Sequence, residues 1–285
     1  MNPPPPARPL CVLVTGASSG IGKATAVLLA AEGMKVFAGV RHFSPEKPGQ
    51  RIEEILLDVT CPDSIAAAVR EISSRTGGDG LDALVNNAGI GAIAPVEFIG
   101  RKSLQDVFEV NVFGLVAVTQ AFLPLLRQAR GSIVNIGSIG GMITMPFGVA
   151  LCAAKHAVES VSDALRLELH SSGIRVSLIQ PASINSGAAE KLAKETGTTI
   201  AAMPPEGREL YAPLLNGFVR KVLKEESAGS PPEVVARAVL GNIRNPAPPA
   251  RRLVGKHAYA LGLLARFAPA ALRENLLRFL FLKPS

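Results

Sequence analysis

A short apolar run ends directly in a glycine-rich turn, and that turn opens directly into a helical pattern. Residues 10–15 read Leu-Cys-Val-Leu-Val-Thr, residues 16–22 read Gly-Ala-Ser-Ser-Gly-Ile-Gly, and the apolar periodicity then continues to a stop at Gly33. Strand, glycine turn and helix in that order leave a chain few ways to fold. Glycines at such a junction permit a tight turn and a close backbone approach, and the free N–H groups and positive dipole of the helix N-terminus suit a pyrophosphate. Gly16, Ser18, Ser19, Gly20, Ile21 and Gly22 are therefore the candidate phosphate-binding residues.

The alternation repeats along the chain. Strands are expected at 35–40, 52–57, 81–86, 132–137 and 174–180, and helices at 62–75, 103–130 and 149–172. Strands this uniformly apolar, separated by helices, imply a parallel sheet covered on both faces. The expected fold class is α/β, a doubly wound parallel sheet in one Rossmann-type domain spanning 10–255. Within it, residues 182–230 are rich in Gly, Pro, Ser and Glu and hold one expected helix near 205–224, the profile of an insertion lying over a site. A last helix at 231–243 and a last strand at 251–255 complete the domain. Before it stands a leader, 1–9, that the prolines at 3–6 make stiff and solvated, with no fold expected.

Composition narrows the function. A hydrophobic fraction of 48% without charge blocks excludes a disordered chain. No uninterrupted apolar run reaches about 18 residues and the opening has no signal-like core, so the expected compartment is the cytoplasm. Cys11, Cys61 and Cys152 are widely spaced and the four histidines show no ligand spacing, so neither a disulfide framework nor a metal site is expected. The net charge of +7 is concentrated in 251–285, where seven Lys and Arg face a single acid, Glu274. Those cations alternate with Leu, Ala and Phe and lack a base-stacking aromatic pattern, which argues against nucleic acid. Residues 256–285 read as two basic amphipathic helices, either packed on the domain or resting peripherally on a membrane.

Further matches lie downstream of the glycine turn: Asp58-Val59 after the third strand, Asn86-Asn87-Ala88-Gly89 after the fourth, Asn111 within Val-Asn-Val, Ser138 after Asn-Ile-Gly, and Lys155. Together they make the sequence resemble the short-chain dehydrogenase/reductase superfamily over 10–255. Arg41, Pro146-Phe147, the run from Lys155 through Glu159 and the Leu/Arg-rich tail are similar to the branch acting on steroids and retinoids. The resemblance implies an adenine-binding role for Asp58 and Val59, and cofactor contacts for Asn87, Ala88, Gly89, Pro181 and Ser186. It implies catalytic roles for Asn111 and Ser138, and for Lys155 a bond to the nicotinamide ribose. It further implies a homodimer or homotetramer paired through the helices at 103–130 and 149–172. At the end of the second strand Val40-Arg41-His42 offers no acid for ribose hydroxyls, while Arg41 suits a 2′-phosphate, so the expected cofactor is NADP(H).

The sequence departs from the family pattern at Ala182, where Pro-Gly is usual after the sixth strand, at Ala154, where a serine usually precedes the lysine, and most consequentially at one further position. The family places a tyrosine four residues before the lysine, on the same helix face; here that residue is Leu151, and Tyr211 and Tyr259 lie elsewhere. A phenol beside a lysine cation exchanges a proton with the reacting oxygen, and leucine cannot. Cys152 is adjacent, but one helical step of about 100 degrees points its thiol elsewhere. Two readings follow: an oxidoreductase of altered chemistry, such as reduction of an activated double bond, or a redox-silent member that binds a ligand or partner or catalyses isomerisation or elimination. The loops after the fourth and fifth strands carry Ile90, Ile93, Ile139, Met142, Phe147 and Leu151, all apolar, so a hydrophobic small-molecule ligand is expected.

Overall fold

Successive residues of the first strand, β1 (Cys11–Thr15), serve two different cores. Val12 and Val14 pack with Leu29, Val36, Val134, Ile179, Val235 and Val239 on one side of the sheet. Leu13 packs with Phe37, Ile72, Leu84, Phe122 and Ile133 on the other. Because side chains alternate across a strand, a strand buried on both faces must be apolar throughout. The computed structural model describes residues 8–46 and 49–282. It shows one all-parallel sheet in the order β3-β2-β1-β4-β5-β6-β7, with β2 (Lys35–Val40), β3 (Ile52–Leu56), β4 (Ala83–Asn86), β5 (Ser132–Ile136), β6 (Arg175–Pro181) and β7 (Arg251–Val254).

Helices cover both faces. On the first lie α1 (Gly20–Ala31) and α8 (Glu233–Arg244); on the second lie α2 (Pro62–Thr76) and α4 (Gly114–Ala129), and α5 (Val149–Glu168) packs against β6. From β1 the chain winds outward to β2 and β3, then returns to place β4 on the opposite side of β1. Loops after β1 and β4 consequently diverge at the carboxyl edge and leave a crevice there.

Three expectations need correction. The helix expected at 103–130 is interrupted: α3 (Arg101–Phe108) passes into a π-helical turn, Glu109–Phe113, before α4 begins. The segment 182–230 holds two helices instead of one, α6 (Ala188–Ala201) and α7 (Pro205–Ser227). Gly197 and three threonines make α6 a weak helix on propensity alone, and its stability comes from packing on α7. The leader is anchored at its end, since Arg8 ion-pairs with Asp82 at 2.7 Å and with Asp79 at 3.0 Å. Residues 1–7 of the leader, and Lys283 of the basic tail, lie outside the described residues.

The tail folds as α9 (Ala258–Phe267) and α10 (Ala270–Phe281). By length and composition the run 101–129 could cross a membrane, but half of its most apolar window is buried inside the fold, with Val118, Phe122 and Leu126 in the core.

A polar chain crosses the second core. Asn86 and Asn135 are register partners on β4 and β5, and Asn86 Nδ2 donates to both Asn135 Oδ1 and Thr119 Oγ1 at 2.9 Å. Asn135 Nδ2 donates in turn to Ser162 Oγ at 2.9 Å. The chain ties the two central strands to α4 and to α5, the helix that carries Lys155. Asn135→Leu strips one acceptor from Asn86 and the donor from Ser162 inside the core. We expect urea unfolding to show a loss of about 1–3 kcal/mol, the cost of buried groups left unpaired.

Candidate active site

At the crevice, the ends of β1 and β4 are joined by side chains. Thr15 Oγ1 accepts the backbone N–H groups of Asn87 and Ala88 at 2.9 and 3.0 Å. Asn87 Nδ2 donates back to the carbonyls of Thr15 and Gly16 at 2.9 and 3.1 Å. The glycine turn is pressed against this staple: Gly16 sits at φ +63°, where a β-carbon would also lie 2.8 Å from Ala88 Cα. A β-carbon on Gly22 would fall 2.3 Å from the Gly16 carbonyl oxygen. Ser18 and Ser19 are exposed at the mouth of the turn and Ile21 is half-buried against the first core. Ser19, at the N-cap of α1, makes no side-chain cap bond and the first turn holds no acid, so the leading N–H groups face outward. This cradle fits a dinucleotide diphosphate.

The remaining cofactor candidates line the same edge. Arg41 is exposed just beyond β2, close enough to Asp58 to add to the lowering of its carboxyl pKa. The larger cause is the Asp58 carboxylate accepting the N–H and hydroxyl of Thr60, at 2.9 and 2.7 Å. Val59 turns inward; a β-carbon on Gly114 would meet its Cγ2 at 2.8 Å. Gly89 lies over Asn111, whose Oδ1 would be 3.2 Å from a β-carbon there. Pro181 is buried at the end of β6.

Lys155 and Leu151 sit one turn apart on α5 and so share a face. The Lys155 ammonium is buried and donates to the Ile136 carbonyl at 2.7 Å. Burial pushes its pKa down from 10.5 to about 8. Ser138 caps the 3-10 turn Ile139–Gly141, its Oγ accepting the Gly140 N–H at 3.0 Å. Asn111 occupies the π-helical turn, buried, with both ends of its amide on Ile90: Oδ1 accepts the Ile90 N–H at 2.8 Å and Nδ2 donates to the Ile90 carbonyl at 2.9 Å. The extra residue in that turn re-aims one side chain without ending the helix.

The apolar candidates divide. Ile139, Met142 and Leu151 are half-buried around the Ser138 turn and the start of α5. Phe147 and Ile93 join a separate cluster with Phe218 and Tyr211 on α7, and Ile90 stands partly exposed. Leu192 on α6, absent from the sequence reading, reaches the same place: a β-carbon on Gly91 would lie 3.7 Å from Leu151 and 3.2 Å from Leu192. Both tyrosines have surroundings of their own. Tyr211 OH donates to Glu97 at 3.0 Å, a hydrogen bond to a carboxylate that raises its pKa, and Tyr259 is exposed on α9. The Cys152 thiol packs between Gly140 and Gly148, and burial raises its pKa.

Ser186 has a partner that the sequence did not reveal. Its N–H and hydroxyl both donate to Glu226 Oε1 at 3.0 Å, and the same carboxylate accepts the N–H groups of Ala188 and Ala189. Glu226, at the far end of α7, thus caps the start of α6, and the Ser186 carbonyl packs on Gly20, 3.1 Å from where a β-carbon would stand. Only the hairpin formed by α6 and α7 brings these residues together.

Comparison with known proteins identifies the family. The short chain dehydrogenase family pattern matches residues 10–197; the chain belongs to that family. It is 35% identical to the 3-ketodihydrosphingosine reductase of Bacteroides thetaiotaomicron, over 87% of this chain and 88% of the relative. It is 33% identical to retinol dehydrogenase 5 of Homo sapiens, over 98% and 91%. Against the 17-beta-hydroxysteroid dehydrogenase type 6 of Rattus norvegicus identity is 38%, over 70% of this chain and 65% of the relative's length. Among solved structures, a short-chain dehydrogenase from Streptomyces avermitilis superposes with a TM-score of 0.73 at 28% identity, over 96% and 97% of the two chains. One from Burkholderia cenocepacia, in complex with NADP, has the same fold at 23% identity and a TM-score of 0.73, over 94% and 98%. The relatives are named as oxidoreductases, and this chain is an oxidoreductase-family protein.

Two outcomes test the site's construction. Between pH of about 8 and 10.5 the unfolded chain binds more protons at Lys155 than the folded chain does, so this residue makes stability rise with pH across that window. Lys155→Met is expected to remove that component from denaturant unfolding measured against pH. Glu226→Ala takes away the cap of α6 and is expected to cost about 0.5–2 kcal/mol, with faster hydrogen exchange confined to 186–190.

Proposed function

We propose that this protein binds NADP(H) and acts as an oxidoreductase on a hydrophobic small molecule without the family's tyrosine acid. The observation that carries the reading is the state of α5 and its neighbours. Lys155 is buried and partnered, Ser138 and Asn111 are held by backbone bonds, and Leu151 stands one turn before the lysine. When bound, NADPH would supply a hydride. Gly16, Gly20 and Gly22 with the first turn of α1 would hold its diphosphate, Arg41 its 2′-phosphate and Lys155 its nicotinamide ribose. Asn111 positions the Ile90 backbone beside Gly89, and Ser138 offers a hydroxyl to the reacting group.

A positioned general acid contributes roughly 10²- to 10⁴-fold in rate, or about 3–5.5 kcal/mol. Leu151 forgoes that contribution for carbonyl chemistry. Reduction of an activated C=C bond takes its proton at carbon, from water, and does not require a phenol beside oxygen. Apolar Leu151, Leu192, Ile139 and Met142 favour a ligand that is itself apolar. The relatives named for a sphingoid ketone, retinol and hydroxysteroids support the same ligand class.

A second reading has its own observation. With Leu151 and Leu192 flanking Gly91, and Tyr211 tied to Glu97, the described residues supply no phenol to the reacting position. That arrangement suits a redox-silent scaffold that binds a ligand or partner, or a non-redox isomerisation or elimination. Exposed Phe113 and Leu167, on the helices through which the family resemblance implies pairing, support self-association under either reading.

Titration with NADPH and with NADH, followed by nicotinamide fluorescence, is expected to give micromolar NADPH binding and a clear preference over NADH. Arg41→Ala should erase the preference, and failure to bind either nucleotide removes the oxidoreductase reading. Leu151→Tyr is expected to raise turnover of hydrophobic aldehydes and ketones by about 10²-fold or more. Parent turnover that the variant does not exceed would mean that another proton route exists.

A further inference from the structure

The tail is folded, yet one side of it is uncovered. On α9 the side chains of Tyr259, Leu263 and Phe267 recur every four residues and stand 69%, 60% and 71% exposed. Spacing of i, i+4 and i+8 puts all three on one stripe. Across Pro269 the exposed apolar surface continues with Leu272, 59% exposed at the start of α10. The opposite sides are buried: Leu253 packs where a β-carbon on Gly262 would stand, Leu277 is buried, and the Phe281 ring lies 5.5 Å from Phe218.

Charge separates the occupants such a stripe could take. Lys256, Arg266, Arg273 and Arg278 accompany the two helices, against Glu274 alone among acids, and Glu274 is paired with Arg278 at 3.7 Å. Arg266 lies over the Phe267 ring at 5.6 Å, so a cation and an aromatic face share the same surface. A second copy docked through this stripe by a two-fold axis would bring like cations together. A bilayer carrying anionic lipid attracts those cations and receives the apolar side chains, with the tyrosine ring suited to the headgroup level.

We propose that α9 and α10 dock the protein onto a membrane surface rich in anionic lipid. The aromatic chain behind the stripe gives the docking a purpose. Phe281 touches Phe218, and Phe218 lies 5.6 Å from Phe147, whose cluster on α7 adjoins the loop that follows the Ser138 turn. A docked tail therefore holds the apolar side of the site next to the lipid from which a hydrophobic ligand partitions. That last step rests on the hydrophobic-ligand reading; the docking itself does not.

The test is flotation of the full chain with vesicles of phosphatidylcholine alone and of phosphatidylcholine mixed with phosphatidylserine. Co-flotation with the mixed vesicles, weakened by high salt, is expected. The double variant Leu263→Glu with Phe267→Glu should reduce it by about tenfold or more, since it puts acids into the apolar stripe. Both positions are exposed, so circular dichroism and NADPH binding are expected to match the parent. NADPH binding read in the same preparations also separates failure of the cofactor reading from failure of docking. Parent protein that stays out of the vesicle layer in both lipids overturns the proposal, as does a double variant that floats as well as the parent. A fall in solution mass by light scattering in the variant would assign the stripe to a second copy and overturn it too.

Discussion

The site depends on a reciprocal staple between the ends of two strands. Thr15 Oγ1 takes the amides of Asn87 and Ala88, and the Asn87 side chain returns bonds to the carbonyls of Thr15 and Gly16. Loops that leave neighbouring parallel strands in opposite directions would otherwise splay, with their backbone polar groups open to water. The staple satisfies four of those groups and fixes the glycine turn under the first helix. Gly22 must then lack a side chain, because the Gly16 carbonyl already occupies that space. Asn87, which family resemblance ranks as a cofactor residue, is thus also what holds the cradle in shape.

From the staple the polar order runs inward and the apolar order runs outward. Asn86 and Asn135 tie the central strands to α4 and α5, and these helices set Asn111 and Lys155 in place. Lys155 is kept near its protonation midpoint at mildly alkaline pH by burial, with one carbonyl as acceptor. Leu151 and Leu192 both approach Gly91, and further out the rings of Phe147, Phe218 and Phe281 pack in succession towards the tail. A surface built this way holds a buried ammonium on a backbone carbonyl and presents hydrocarbon around it. This environment strengthens hydrogen bonds to developing charge and supplies few protons of its own.

Much of the scaffold was legible in the sequence, because its signals are local. A run such as Cys11–Thr15, short, apolar and ended by a glycine turn, reads as a doubly buried strand, and the glycines that follow permit a turn of close approach. The missed elements depend on contacts distant along the chain. α6 carries Gly197 among threonines, and its start is capped by Glu226, dozens of residues away. The π-helical turn at Glu109–Phe113 has no compositional mark, and the pattern of a continuous helix passes through it unchanged. Tyr211 could be counted in the sequence, but its bond to Glu97 could not.

The sequence by itself determined the doubly wound sheet, the phosphate-suited turn and the leucine four residues before Lys155, because each is a matter of residue type at fixed spacing. Tertiary structure alone decided that Asn111 spends its amide on Ile90, that Ser186 and the start of α6 answer to Glu226, and that Leu192 joins Leu151 beside Gly91. It also decided which side of each tail helix is buried and which is left bare. Periodicity states that a helix has an apolar side; the packing of a separate element decides whether that side is covered.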